Sequence, residues 1–397
     1  MAVSAQDTTL RAIVKMIDME YLSELVRAYD GDRYCKSLNV QKMFIALLVG
    51  MLRGLKSLRD IECFTEDYQE ALAEFGIGRI ARSSLADCLQ RTTPAIFKGL
   101  FEGLRAEYEK RLPDSSWKYF RLLLMDSTMI EVPLSQVDWA HYRTAKGAIK
   151  MHTVFCHRPQ TEYPVQMVLT DGKTADVTVA EQHLEVDPDS IIVADRGYAS
   201  RRLFESIARR HGTFVIRLPK SAHYHPLIPR TRTIAGDKPP LDEVVTLVRR
   251  RFGQPEPTHF RRIVLPPFEG RKEPIILMTN DFSRTAAQIG AIYRRRWRIE
   301  LFFKQLKQQL HLSTLLGCSR TAVENQLYIA LILALLLAYL QTLIQNAHEL
   351  TPYTLFRHIR NRLFQNYSLL EALSCASPTS RPPPPTSHAS QLTFSFL

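Results

Sequence analysis

The residues of this chain best equipped for chemistry lie in one run, Tyr293-Arg-Arg-Arg296-Trp297-Arg-Ile-Glu300-Leu-Phe-Phe-Lys304-Gln-Leu-Lys307. Read as one amphipathic helix, it places Tyr293, Arg296, Glu300 and Lys307 within an arc of roughly 60°, at about 100° per residue. One carboxylate is then ringed by two cations and an aromatic. Such a stripe suits a site that holds a metal beside a phosphodiester. It also suits a solvated face on which Glu300 pairs with Lys304 or Lys307, so the helix alone does not decide.

Two aspartates upstream stand in a distinctive setting. Arg121-Leu-Leu-Leu-Met125-Asp126 and Ser190-Ile-Ile-Val-Ala-Asp195 are apolar runs that each end in a carboxylate. Both read as buried strands delivering an acid at or near the carboxyl end, where open α/β sheets place their chemistry. Taken singly, each aspartate also fits a strand-ending turn or a helix cap. Taken with Glu300, three carboxylates from two strands and a helix form a set able to hold a pair of Mg²⁺ ions about 4 Å apart.

Asp126, Asp195 and Glu300 resemble the Asp-Asp-Glu triad of DNA transposases with an RNase H-like core. The spacing Tyr-x2-Arg-x3-Glu-x6-Lys, met by Tyr293, Arg296, Glu300 and Lys307, is the signature of a large branch of bacterial insertion-sequence transposases. Asp195-Arg196-Gly197-Tyr198 is similar to that branch's motif around the second aspartate. Gly147-Ala-Ile-Lys150-Met-His152 is similar to the strand after the first. The resemblance covers roughly residues 120 to 340. It implies a triad that binds Mg²⁺, with Mn²⁺ able to substitute and Ca²⁺ inhibitory, and with Asp126 shared between two ions. It implies cleavage of the element's ends, hairpin formation, and joining of 3′ ends to target DNA, by a homodimer holding paired double-stranded ends. Tyr293, Arg296 and Lys307 would contact phosphates near a flipped base. Trp297 fits stacking on DNA or a core anchor equally. Lys150 and His152 fit a DNA contact or support for the site, and a satisfied histidine fits as well.

The elements needed to position these residues are legible as a pattern. Strands are expected at Leu122–Asp126, Ile149–Cys156, Val165–Thr170, Ile191–Asp195 and Thr213–Arg217, with helices over Asp176–Leu184 and Arg201–Arg210. That is the order of a mixed five-stranded sheet flanked by helices. A β-rich insertion of about residues 219–280 follows, with strands near Val244–Arg249, Phe260–Leu265 and Pro274–Thr279. Its Arg249-Arg-Arg251 and Arg261-Arg262 suit DNA backbone contact or a solvated surface. The expected fold class is therefore α/β, an RNase H-like mixed-sheet core with a β-rich insertion before the Glu-bearing helix, across residues 113–345. An all-helical N-terminal DNA-binding domain, residues 1–112, precedes it. Within that domain Ser83 or Ser84 is expected to cap a helix that exposes Arg91, compatible with a helix-turn-helix reader or with a plain packing unit. Residues 346–397 read as a helical segment and a Pro-rich tail around Pro382-Pro-Pro-Pro385.

Bulk properties agree. The 397 residues carry 52 Lys and Arg against 40 Asp and Glu, for a net charge of +12, which points to a polyanionic partner. The six cysteines form no Cys-x-x-Cys pair, which argues against a zinc ribbon and for reduced thiols. Met1-Ala-Val-Ser lacks the charged and apolar regions of a signal peptide. The apolar run Leu327 to Leu340 is shorter than the roughly 18 residues of a membrane span and reads as a buried helix. A cytoplasmic, nucleoid-associated protein without a membrane is expected. A metal-dependent nuclease on the same core, or a silent end-binding regulator, are the alternative functions.

Overall fold

A computed structural model describes residues 7–35, 37–112, 121–132, 139, 141–143, 146–158, 161–188, 190–229, 242–247, 258–267, 273–310, 312, 314–343 and 351–365. Seven α-helices come first: α1 (Thr9–Lys15), α2 (Met19–Ala28), α3 (Val40–Arg53), α4 (Leu58–Asp67), α5 (Gln69–Leu72), α6 (Arg82–Arg91) and α7 (Pro94–Arg111). Their starts follow local chemistry. The side chains of Asp18, Asn39 and Ser57 accept backbone N–H bonds at the starts of α2, α3 and α4. Gly54, left-handed at φ 73°, ends α3. The expected cap on α6 is not found. The helix starts after Ala81 with no side-chain cap, and Ser83 and Ser84 lie inside its first turn. Arg91 is exposed as expected, and its Nη1 donates to the Arg33 carbonyl at 2.9 Å.

The rest alternates strands and helices. In chain order these are β1 (Arg121–Val132), β2 (His141–Arg143), β3 (Lys146–Arg158), β4 (Thr161–Asp171), α8 (Asp176–His183), β5 (Ser190–Ala194), α9 (Arg201–Arg209), β6 (Thr213–Arg217), β7 (His225–Pro229), β8 (Asp242–Thr246), β9 (His259–Leu265) and β10 (Ile275–Thr279). Then follow α10 (Ala286–Arg294), α11 (Trp297–Gln309), α12 (Arg320–Leu343) and α13 (Pro352–Asn361).

The described strands form one mixed sheet, ordered β2-β3-β1-β5-β6-β10-β9-β8-β7, with β4 also paired to β3. β1 is antiparallel to β3 and parallel to β5, and β5 is parallel to β6. The run β4-β3-β1-β5-β6 is thus the RNase H-like order. β5 is buried along its whole length, as a central parallel strand must be. All five expected core strands are present. Three are longer than expected, because the polar residues of β1, β3 and β4 pair in the ladder as well as the apolar ones.

The three strands expected in the insertion are present as β8, β9 and β10. They extend the core sheet. β10 pairs antiparallel with β6, and β9, β8 and β7 follow, so the core sheet simply continues. β7, unforeseen because two prolines interrupt His225–Pro229, is the edge strand, where a missing N–H costs least. Arg261 and Arg262 are also not free for DNA. Arg261 is 1% exposed, and its Nε and Nη2 bond Asp242 at 2.8 and 2.6 Å. Arg262 pairs with Glu243 at 2.6 Å and lies over the Tyr224 ring. Arg249-Arg-Arg251 and the Pro-rich tail lie outside the described residues.

α12 is long and apolar enough by length and composition to cross a membrane, yet 72% of its apolar window is buried in the protein. It packs on α3, α6, α7, α13 and β4, as the buried helix expected at Leu327 to Leu340. Cys35, Cys63, Cys88, Cys156 and Cys318 are free thiols.

Candidate active site

The register of the two central strands brings the aspartates together. β1 and β5 pair in parallel from Arg121↔Ser190 to Met125↔Ala194. The next residue on each is Asp126 and Asp195. β5 stops there, but β1 continues six residues further. Asp126 is therefore mid-strand, not at a strand end as expected; what ends beside it is the parallel pairing.

Glu300 arrives from α11, but the single helix expected from Tyr293 to Lys307 is broken in two. α10 ends at Arg294 and α11 begins at Trp297. Across the join the N–H groups of Arg295, Arg296, Arg298 and Ile299 each bond the carbonyl three residues back, not four. The overwound turn rotates the faces of the two helices relative to each other. Tyr293 accordingly closes the end of α10 and Glu300 opens α11. A capping box between Thr285 and Gln288 fixes the start of α10. Gly290 lets it lie close to β9, since a Cβ there would stand 2.9 Å from Leu265 Cδ1.

Arg296 sits between the acids. Its Nη2 donates to Glu300 Oε1 at 2.5 Å and its Nη1 to Asp126 Oδ2 at 3.4 Å. Tyr293 donates its hydroxyl to Asp195 Oδ1 at 3.2 Å. Lys307 is the furthest of the signature residues; its Nζ donates to the Met129 carbonyl of β1 at 2.8 Å. Trp297 is 55% exposed, which removes the core-anchor reading and leaves a free indole face. All three carboxylates and Tyr293 and Arg296 thus share one site, with Lys307 of α11 beside it, bonded to β1.

Electrostatics separates the two aspartates. Burial pushes Asp126 up to about 6, against the pull of the Ser127 N–H and Arg296, with Glu300 and Asp176 adding like charge. Burial acts on Asp195 too, but the Arg196 N–H, Arg296, Arg217 and Tyr293 outweigh it and hold that carboxyl below its ordinary range. Two of these groups are invisible to motif reading. Arg217 ends β6, next to β5, and places Nη1 3.5 Å from Asp195 Oδ1. The cation closing a neighbouring apolar strand was the only signal for it. Asp176, at the start of α8, takes Lys150 at 3.0 Å and His152 at 3.2 Å. Lys150 and His152 are therefore held by an acid of the fold.

Among the described residues no three His, Cys, Asp or Glu are grouped tightly enough to form a metal cage. The donor set still fits a hard cation. Three carboxylates converge from β1, β5 and α11, a guanidinium bridges two of them, and Asp126 is a half-buried acid pushed up to about 6 despite that guanidinium.

A sheet of this order with two aspartates on adjacent central strands and a glutamate on a following helix defines the RNase H-like, Asp-Asp-Glu class. The chain belongs to the transposase DDE domain family, whose model matches residues 119–337. A second model, a domain of unknown function (DUF4372), matches residues 5–78. The chain is similar to a probable transposase for insertion sequence element IS5377 from Geobacillus stearothermophilus, at 28% identity over 55% of this chain and 56% of that protein. It is 29% identical to a candidate transposase, y4zB, from Sinorhizobium fredii, over 62% of this chain and 68% of the relative. To the transposase InsG for insertion sequence element IS4 of Escherichia coli it is 23% identical, over 69% and 64%. The chain thus spans little more than half the length of the first of these relatives.

Proposed function

We propose that this protein is a DNA transposase that cuts the ends of an insertion sequence and joins the freed 3′ ends to target DNA. The observation that carries the reading is the convergence of Asp126, Asp195 and Glu300 around Arg296. Membership of the transposase DDE domain family supports it.

Asp126, Asp195 and Glu300 would hold divalent cations, Mg²⁺ or Mn²⁺. Bound there, these supply the Lewis acidity of a two-metal phosphoryl transfer at the attacking and leaving oxygens. The chain's own residues do the rest. Arg296 neutralises the acids, and with cations in that role its planar donor fork would be released to a phosphate. Tyr293, its ring buried and its hydroxyl bonded to Asp195, orients that carboxylate beside the DNA end. Lys307, on the Met129 carbonyl, adds a point charge along β1. Trp297 presents an exposed ring for stacking on a base turned out of the duplex.

One site then serves successive in-line reactions: release of a 3′-OH, hairpin formation on the opposite strand and its reopening, then attack on the target. The helical region 1–112 would grip the terminal repeats, residues 113–345 would form the catalytic domain, and 346–397 a C-terminal appendage. Two copies would act on paired ends. The working place is the cytoplasm, on the chromosome.

The test is a cleavage and transfer assay with purified protein, Mg²⁺, the DNA flanking the gene as a source of ends, and a supercoiled target plasmid. Excision plus insertion, both lost in Asp126→Ala, is the expected result. Cutting without joining would make the protein a nuclease, and end binding without cutting would make it a silent regulator.

A further inference from the structure

Asp176 belongs to no motif of the triad, yet it is tied to all three strands around it. It lies in the first turn of α8, and Lys150 and His152 of β3 approach its Oδ1 at 3.0 and 3.2 Å. Against the effect of burial, the Ser127 side chain helps hold the same carboxyl low, at about 2. Ser127 is the residue after Asp126, and its own N–H donates to Asp126 Oδ1 at 2.8 Å. On the far side, Asp176 faces the turn that follows Asp195. A Cβ built on Gly197 would stand 3.6 Å from Asp176 Oδ2, and the buried Tyr198 feels the charge of both Asp176 and Asp126.

The partners are themselves braced. Lys150 Nζ also donates to the Thr174 carbonyl at 3.2 Å, and His152 Nε2 lies 2.9 Å from Thr170 Oγ1. Ser127 and His152 are direct cross-strand partners in the β1·β3 ladder. Asp176 is thus at the centre of a network whose other members sit on β1, β3 and the turn after β5. Asp176 Oδ1 carries the ion pairs to Lys150 and His152, so the carboxylate is already engaged by side chains of the fold, which suits it to orient an ion's ligand more than to bind an ion itself.

We propose that Asp176 is a positioning residue. Through Ser127 it sets the direction of the Asp126 carboxylate, and through the Gly197–Tyr198 turn it sets the separation of Asp126 from Asp195. The inference rests on the reading of Asp126, Asp195 and Glu300 as ligands of a divalent cation.

The experiment compares full-length Asp176→Asn, Ser127→Ala and Asp126→Asn with the parent chain. It measures Mn²⁺ binding by calorimetry in the absence of DNA, end binding by gel shift, thermal melting, and strand cleavage. Asp176→Asn should bind ends within about twofold of the parent, lose about 10- to 100-fold in Mn²⁺ affinity, and lose cleavage in proportion. Ser127→Ala should reproduce part of that loss with Lys150, Asp176 and His152 left in place. Parental Mn²⁺ affinity in Asp176→Asn overturns the inference. So does a collapse of melting temperature and end binding together, which would make Asp176 a folding residue only. Should Asp176→Asn be insoluble, parental Mn²⁺ affinity in Ser127→Ala overturns it instead. Asp126→Asn separates the two readings: if it leaves Mn²⁺ binding intact, the triad assignment falls and takes the inference with it. If only Asp126→Asn weakens binding, the inference falls alone.

Discussion

Arg296 Nη2 lies 2.5 Å from Glu300 Oε1, one turn along the chain, although the turn between them is the overwound join of two helices. The tight turn points the guanidinium back toward Asp126 while the glutamate stays within reach of the same group. The pair is thus the hinge pin of the site, and substitutions at its two ends should behave differently.

Glu300→Gln keeps the shape and removes the charge. Cleavage should fall by about 100-fold or more, as loss of a direct ligand exceeds loss of an outer partner, while end binding persists. Near-parental cleavage in a single-turnover assay would remove Glu300 from the triad.

Arg296→Ala leaves Asp126 and Glu300 facing each other without the cation between them. Melting in EDTA should shift down, since two like charges are left close together without their cation. Hairpin processing should fall more than first nicking. Gel analysis of both products decides; equal loss reduces Arg296 to a general phosphate contact.

Trp297→Ala should leave melting within about 0.5 kcal/mol of the parent, because an exposed side chain away from packing contributes little. Binding to ends with an unpaired base should weaken by about 1–3 kcal/mol. Unchanged affinity by fluorescence anisotropy would exclude stacking.

Arg261→Ala should act on stability, not on DNA. It strips Asp242 of a buried bidentate partner and leaves the carbonyls of Asp281 and Arg284 without their donor. A loss of about 3–5 kcal/mol by chemical denaturation is expected. A selective loss of DNA affinity in a normally stable variant would contradict the buried geometry.

Asp281 begins the turn into α10. Burial raises its carboxyl, but Arg284 and the Ser283 and Arg284 N–H groups outweigh burial and bring it down to about 2. A depressed carboxyl stabilises the fold above its unfolded value near 3.8, and that stability is lost as pH falls through about 2. Asp281→Asn should therefore cost roughly 2 kcal/mol at neutral pH, with the difference from the parent shrinking below about pH 4. Denaturation at a series of pH values tests this; a difference that grows on acidification would reverse the sign.

What the sequence made legible was governed by local physics. Apolar runs located β1, β5 and β6 because strands buried on both faces are continuous hydrophobic stretches. The three carboxylates were legible because motif spacing is preserved in the chain. The break at Arg295–Arg296 was not, since 3.6-residue periodicity and a short 3-to-1 turn predict nearly the same stripe over a few residues. Arg261 was misread because an arginine in a basic run has the same letter whether it meets water or Asp242 across a sheet. Asp176 and Arg217 became visible only through partners far off in sequence, Lys150 and Asp195.

α12 touches α3, α6 and α7 on one side and β4 on the other, and the N–H groups of Thr9 and Leu10 close onto the carbonyls of Gln365 and Leu363. The helices at the front of the chain and the sheet bearing the acids are thereby packed against one shared helix. If the front helices grip DNA as proposed, the spacing between that grip and the carboxylates would be a ruler made at folding. Where a strand is cut would be measured out by the protein's own dimensions, and neither half could be exchanged for that of a relative without recutting the leucine face they share.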